Sequence, residues 1–176
     1  MELFDNLPVA CVVNGLYLTM HGGISEQLQK VSTINKLDRF REIDEEGLLA
    51  DLMWADPAPQ RKCNRDYCFN DDRQISVIFG KNPVKSLLKR EGLRAIIRGH
   101  QMKQKGYKFH QWDGEEEFPP VITVFSAPNY SGSGNDAAVV ITDGDSVDLR
   151  TFSEKRGKPF VLHDRADAFS VFQPKL

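Results

Sequence analysis

Three apolar runs in this chain each stop at a compact polar signature. Leu16 to Met20 runs into His21-Gly22-Gly23, Leu93 to Ile97 into Arg98-Gly99-His100, and Val121 to Phe125 into Ser126-Ala127-Pro128-Asn129-Tyr130. Short apolar runs bounded in this way read as strands. A packed sheet fixes the loop just beyond each strand, and catalytic groups concentrate in such loops. Two histidines and a tyrosine delivered like this fit one site, and they fit only part of one.

The remaining pattern predicts a layered α/β or α+β protein, strand-rich with helices in the middle. Val9 to Val13, Asn14-Gly15 and Leu16 to Met20 give a hairpin signal, because both turn positions need positive φ. Residues 107–112 and 121–125 read as a second strand pair, joined by an acidic loop from Asp113 to Pro120. Ala137 to Thr142, Asp143-Gly144 and Ser146 to Phe152 read as a third. A helix is predicted over Lys81 to Gly92, with Asn82 as cap, Pro83 at the first helical position and Gly92 at the exit. Val84, Leu87 and Leu88 share its inner face. Residues 47–54 make a second helix, and 33–41 a third, capped by Thr33 with Leu37 inward. A chain of 176 residues fits one domain over 1–176, with an irregular tail over 153–176.

Charge and composition exclude several roles. A net charge of −2 gives no electrostatic support for nucleic-acid or anionic-membrane binding. No apolar stretch approaches the ~18 residues that suggest a membrane helix. Met1 to Asp5 lacks the regions of a signal peptide. Cys11, Cys63 and Cys68 are odd in number with no CxxC spacing, which fits free thiols in a reducing compartment. The expected location is the cytoplasm, with the nucleus as the alternative. Cys11, in an apolar run, is expected in the core. Cys63 and Cys68 can join His110 around a metal, but solvated loop thiols fit better, since structural zinc wants four ligands in tight pairs.

The candidate residues each have two readings. His21 can ligate a metal or cap a turn, and its two glycines let the backbone bend and a ligand approach closely. His100 has the same setting. Arg98, two residues earlier and on the same side, fits a structural ion pair better than an anion site. Arg73, in Asn70-Asp71-Asp72-Arg73-Gln74, can offer its planar fork to a phosphate or form a surface salt bridge. Tyr130 can hydrogen-bond a phosphate or close a small core. Trp54, in Trp54-Ala55-Asp56-Pro57, offers a large apolar face that fits core packing.

In order, HGG, KLDRF (Lys36 to Phe40), LMWADP (Leu52 to Pro57), NDDR (Asn70 to Arg73) before a run ending Phe79-Gly80, RGH and SAPNY resemble the catalytic domain of the phosphoprotein phosphatase family, most of all its calcineurin-type members. Phe118-Pro119 before the SAPNY strand and Val147 to Phe152 after it add to the likeness, which runs from Phe4 to about Phe172. The resemblance implies the C-terminal half of a calcineurin-like β-sandwich flanked by helices, with two divalent or transition metals (iron with zinc, or manganese) in the full domain. It implies His21 and His100 as ligands of one metal, Arg73 as the phosphate clamp and Tyr130 as the active-site tyrosine. Trp54 and Asp56 become the wall of a substrate groove. The implied reaction is hydrolysis of phosphoserine or phosphothreonine in proteins by a water that two cations acidify.

The chain also departs from the family. The motifs GDxHG, GDxVDRG and GNHE, which supply the other metal's ligands, the bridging aspartate, the asparagine and the general-acid histidine, are absent from their expected place. Gly144 to Asp148 matches GDxVD, but it follows SAPNY and reads as a hairpin turn. Ser131 stands where many relatives have cysteine. Gln74 replaces the glycine that usually follows the clamping arginine, which restricts that loop. The basic stretch Gln60 to Arg65 either tunes substrate choice or is a solvated loop. Two functions are therefore expected: a half-domain phosphatase that alone binds metal weakly or not at all, and a non-catalytic module that meets a regulatory or docking partner. The second rests on an edge strand at Val147, Asp148, Leu149 and Arg150, where strand addition would take a short peptide. A nucleotide hydrolase on the same fold is weaker, because SAPNY and WxDP argue against it.

Overall fold

The computed structural model describes residues 2–59, 65–112, 117–144 and 146–154. A short helix α1 (Glu2–Asp5) leads into the hairpin β1 (Ala10–Val13) and β2 (Tyr17–Met20). Asn14 and Gly15 turn it at φ 54° and 69°, as the Asn-Gly signal predicts. Helix α2 (Leu48–Trp54) and the short strands β3 (Asp56–Pro57), β4 (Tyr67–Phe69) and β5 (Val77–Phe79) follow. Then come α3 (Lys81–Glu91), β6 (Ala95–Arg98), β7 (Tyr107–His110), β8 (Val121–Val124), β9 (Ala137–Asp143) and β10 (Ser146–Phe152).

The strands form three sheets. The largest has the order β1-β2-β6-β8-β7, a second β3-β5-β4, and β9 pairs with β10 alone. Within the large sheet β2, β6 and β8 are parallel neighbours, with Met20 opposite Arg98 and Arg98 opposite Thr123. Their carboxyl ends therefore lie along one edge, and that edge carries all three polar signatures. Parallel strands bury both faces, so they read as continuous apolar runs. One face packs Leu18, Met20, Ile96 and Val121 against Leu52, Phe79, Val84 and Leu87. The other packs Tyr17, Ala95, Ile97 and Ile122 under Val140 and Val147 of the β9–β10 hairpin.

Several expectations change. Residues 33–41 do not form an α-helix; a 3-10 turn spans Val31–Lys36 and Leu37 is already extended. Val31, Thr33 and Ile34 are β-branched, which weakens α-helix formation there. Leu37 still packs inward. Helix α3 buries Val84, Leu87 and Leu88 and exits through Gly92 at φ 66°. Its cap, however, is Gly80, and the Asn82 side chain bonds Asp66 instead. Cys11 is exposed, because β1 is the edge strand of its sheet. Cys68 is disulfide-bonded rather than a free thiol. Whether two thiols meet depends on how the chain returns on itself, which spacing alone does not give. The residues 60–64, 113–116 and the tail from 155 lie outside the described set.

His110 is buried on β7 with Nε2 2.9 Å from Thr123 Oγ1, which removes it from any shared metal site with Cys68. Burial first, then the charges of Lys108 and Lys103, push its pKa down from 6.5 to about 3. The unfolded chain therefore binds the extra proton across that window, and stability falls as the pH drops below 6.5. The slope approaches ~1.4 kcal/mol per pH unit for this one proton. Denaturant titrations at pH 7, 6 and 5 should show a shallower fall for His110→Gln than for the parent. Equal slopes would remove His110 as the cause.

Candidate active site

His21 and His100 meet at the carboxyl ends of neighbouring strands. His21 Nε2 lies 3.1 Å from His100 Nδ1, with ring centroids 5.0 Å apart. Trp54, at the end of α2, stands edge-on to His100 at 5.2 Å. Tryptophan thus braces a histidine rather than filling the core alone. His100 sits at φ 63°, in the left-handed region that a β-carbon disfavours, so the packing around it holds the ring in place. An apolar cavity of about 460 Å3, lined by Leu7, Pro8, Met20 and Met53, opens beside His21.

The glycines after His21 act differently from the sequence expectation. Neither has a positive φ, so what each position requires is the absence of a β-carbon. A β-carbon on Gly22 would lie 2.4 Å from the Met53 carbonyl carbon, and one on Gly23 2.1 Å from the Phe79 ring. The pair lets the loop lie directly on the end of α2, where Gly22 N–H donates to Leu52 O at 2.7 Å and Gly23 N–H to Asp51 O at 3.1 Å.

Beneath the histidines lies an ion network. Arg98 is 1% exposed, and Asp56 is 5% exposed. Arg98 Nη2 donates to Asp56 Oδ1 at 2.9 Å, which bears out the structural ion pair expected for it. Asp56 Oδ2 accepts from Arg73 Nε and Asn70 Nδ2, both at 3.2 Å. Arg73 is therefore tethered through its Nε to a carboxylate 17 positions away. Burial would raise the Asp56 carboxyl, but the Arg98 charge and the bonds from Asn70 and Arg73 outweigh it and hold it below the usual carboxylate range. Burial pulls Arg98 down to about 10, so the pair is ionised at neutral pH. Gln74 adopts φ 57°, where glycine would be relaxed, consistent with a restricted loop after Arg73.

Asp56 is thus an anchor and not an exposed groove wall. Tyr130 stands apart: it is 55% exposed, its ring rests edge-on against Phe125 at 5.3 Å, and among the described residues no hydrogen bond or ring contact joins it to the histidines or Arg73. Its loop is held by Asn135, a buried residue the motifs did not indicate. Asn135 donates to Ala127 O at 2.9 Å and accepts from Tyr130 N at 2.8 Å.

The histidine pair suits a metal. Burial, then the nearby arginine charges, lower both histidines, His100 to about 4, so both imidazoles are neutral at pH 7 and keep a lone pair. The 3.1 Å between His21 Nε2 and His100 Nδ1, a hydrogen-bond distance, is short enough for both nitrogens to be ligands of one metal ion. The buried His100 Nε2 has no partner among the described residues. No group of three or more His, Cys, Asp or Glu side chains among the described residues could close a metal site.

Two neutral imidazoles thus meet at the carboxyl ends of parallel strands, where open sheets of this kind commonly bind ligands. The family model for calcineurin-like phosphoesterases matches residues 1–104, and the chain belongs to that family, whose members work with divalent metal ions. It is 37% identical to the serine/threonine-protein phosphatase 2B catalytic subunit A1 of Saccharomyces cerevisiae across 97% of its own length, and 37% identical to the serine/threonine-protein phosphatase 4 catalytic subunit of Eremothecium gossypii across 82%. A solved protein serine/threonine phosphatase from Saccharomyces cerevisiae matches 89% of the chain at a TM-score of 0.72 and 29% identity. The chain spans 33% and 43% of those two relatives and 50% of the solved chain.

Proposed function

We propose that this chain forms the C-terminal half of a protein serine/threonine phosphatase site. The observation that carries the reading is the 3.1 Å apposition of His21 Nε2 and His100 Nδ1 beside the tethered Arg73. His21 and His100 would hold one metal of a pair. Bound metals of this kind supply Lewis acidity and a nucleophile of lowered pKa. Arg73 supplies what a tethered guanidinium can: two terminal N–H groups directed at phosphate oxygens, with no reorganisation when the phosphoester arrives. Trp54 keeps His100 oriented. Tyr130, on an exposed loop, meets the protein substrate flanking the phosphate.

Two nitrogen ligands leave most of a coordination sphere to water, so these 176 residues alone hold metal weakly. Iron, zinc and manganese content, measured with turnover of a phosphoserine peptide, tests this. The expected result is less than one metal per chain and background turnover. Two tightly held metals with robust turnover would overturn the half-site reading.

A second reading concerns β10, which pairs only with β9 among the described residues. Along it the Leu149 N–H donates to Asp148 Oδ1 at 2.9 Å. Val147 packs inward, so Asp148 and Arg150, with the Leu149 backbone, would meet an added peptide strand.

A further inference from the structure

The guanidinium of Arg98 reaches three acceptors on two separate segments at once. Nε donates to Gly22 O at 2.6 Å, the residue after His21. Nη2 donates to Ala55 O at 3.0 Å, next to Trp54, and to Asp56 Oδ1 at 2.9 Å. Asp56 in turn carries Arg73 through its other oxygen. Arg98 itself lies two residues before His100 and is the largest fully buried side chain among the described residues. One rigid fork thus ties the loop of His21, the brace of His100 and the tether of Arg73 to the strand that ends in His100.

We propose that Arg98 is a positioning residue: it sets the separation of the two histidines and the aim of Arg73. The inference rests on the phosphatase-site reading for its purpose, but its geometry stands alone. Burying a guanidinium costs stability, and an apolar side chain would fill the same space without that cost. A lysine ammonium, a point charge on a flexible stem, cannot hold three acceptors in one plane.

The test uses the 176-residue chain, inorganic phosphate as probe and NMR of arginine and histidine side chains. In the parent, the Arg98 N–H signals should be resolved and exchange with water far more slowly than those of Arg73. Phosphate should shift the Arg73 signals and leave those of Arg98 in place. In Arg98→Lys, the imidazole nitrogen shifts of His21 and His100 should move toward those of unpaired histidines. Its phosphate dissociation constant should rise about tenfold, the low end of the cost of losing an outer-shell partner. Main-chain amide dispersion reports whether the variant folds. Unchanged imidazole shifts and phosphate affinity in a folded Arg98→Lys overturn the inference. If the variant does not fold, the parent decides: Arg98 signals as labile as those of Arg73 overturn it, and protected ones support it. A parent whose Arg73 ignores phosphate sinks the anion-clamp reading instead, while the imidazole shifts of Arg98→Lys still decide the positioning role.

Discussion

Asp56→Ala should lower the unfolding free energy by about 3–5 kcal/mol, because it strands a buried charge without its partner. Arg98 would keep only the carbonyls of Gly22 and Ala55, and Arg73 and Asn70 would lose their shared acceptor. Domains of this kind are stable by only about 5–15 kcal/mol in total, so this one atom group decides a large fraction. Denaturant melts of the single variant and of the paired Asp56→Leu/Arg98→Met variant separate the causes. The pair should recover much of the loss, since an ion pair replaced by apolar side chains of similar size is often neutral or better. It should not recover phosphate shifts at Arg73, whose tether is gone. A single variant as stable as the parent would mean that the network contributes nothing to the fold.

Gly22→Ala should cost about 1–3 kcal/mol or more, the range for overpacking a tight contact. The added methyl would meet backbone, not a flexible side-chain end: Met53 C at 2.4 Å and Trp54 N at 2.5 Å. Relief requires the loop to lift from α2, and that breaks the Gly22 N–H bond to Leu52 O and carries His21 away from His100. Gly132→Ala is the comparison, since its φ is 77° but no atom lies within 4 Å of the added carbon, so it bears conformational strain alone. Urea midpoints, read beside the His21 and His100 imidazole shifts, distinguish the two. A Gly22→Ala midpoint equal to that of Gly132→Ala, with the histidine pair intact, would contradict the close-packing role.

Much of the site is legible before any coordinates. The strand-end signatures locate His21 and His100 because local apolar runs mark where strands stop, and the large sheet places β2 and β6 side by side. The ion pair at Arg98 is also legible, as a buried arginine on a strand needs a partner. The tether of Arg73 is not, because its Nε reaches Asp56, 17 positions earlier in the chain. Nor is Asn135, a lone polar residue with no local pattern, which holds the SAPNY loop only because Ala127 and Tyr130 return beside it. Cys11 sits in an apolar run, yet position at the sheet edge exposes it.

The sequence by itself determines the strands of the large sheet and of the β9–β10 hairpin, two hairpin turns, the inner face of α3 and the chemical kinds gathered at the strand ends. Those follow from periodicity and turn chemistry, which act over a few residues. Only the tertiary structure decides that Arg98 reaches Gly22, 76 positions earlier, and Asp56, 42 positions earlier. It alone shows that Gly22 and Gly23 are needed for contact with α2 and Phe79. Strand order and the close packing of a helix end against a loop create those contacts, and neither leaves a local trace in the chain.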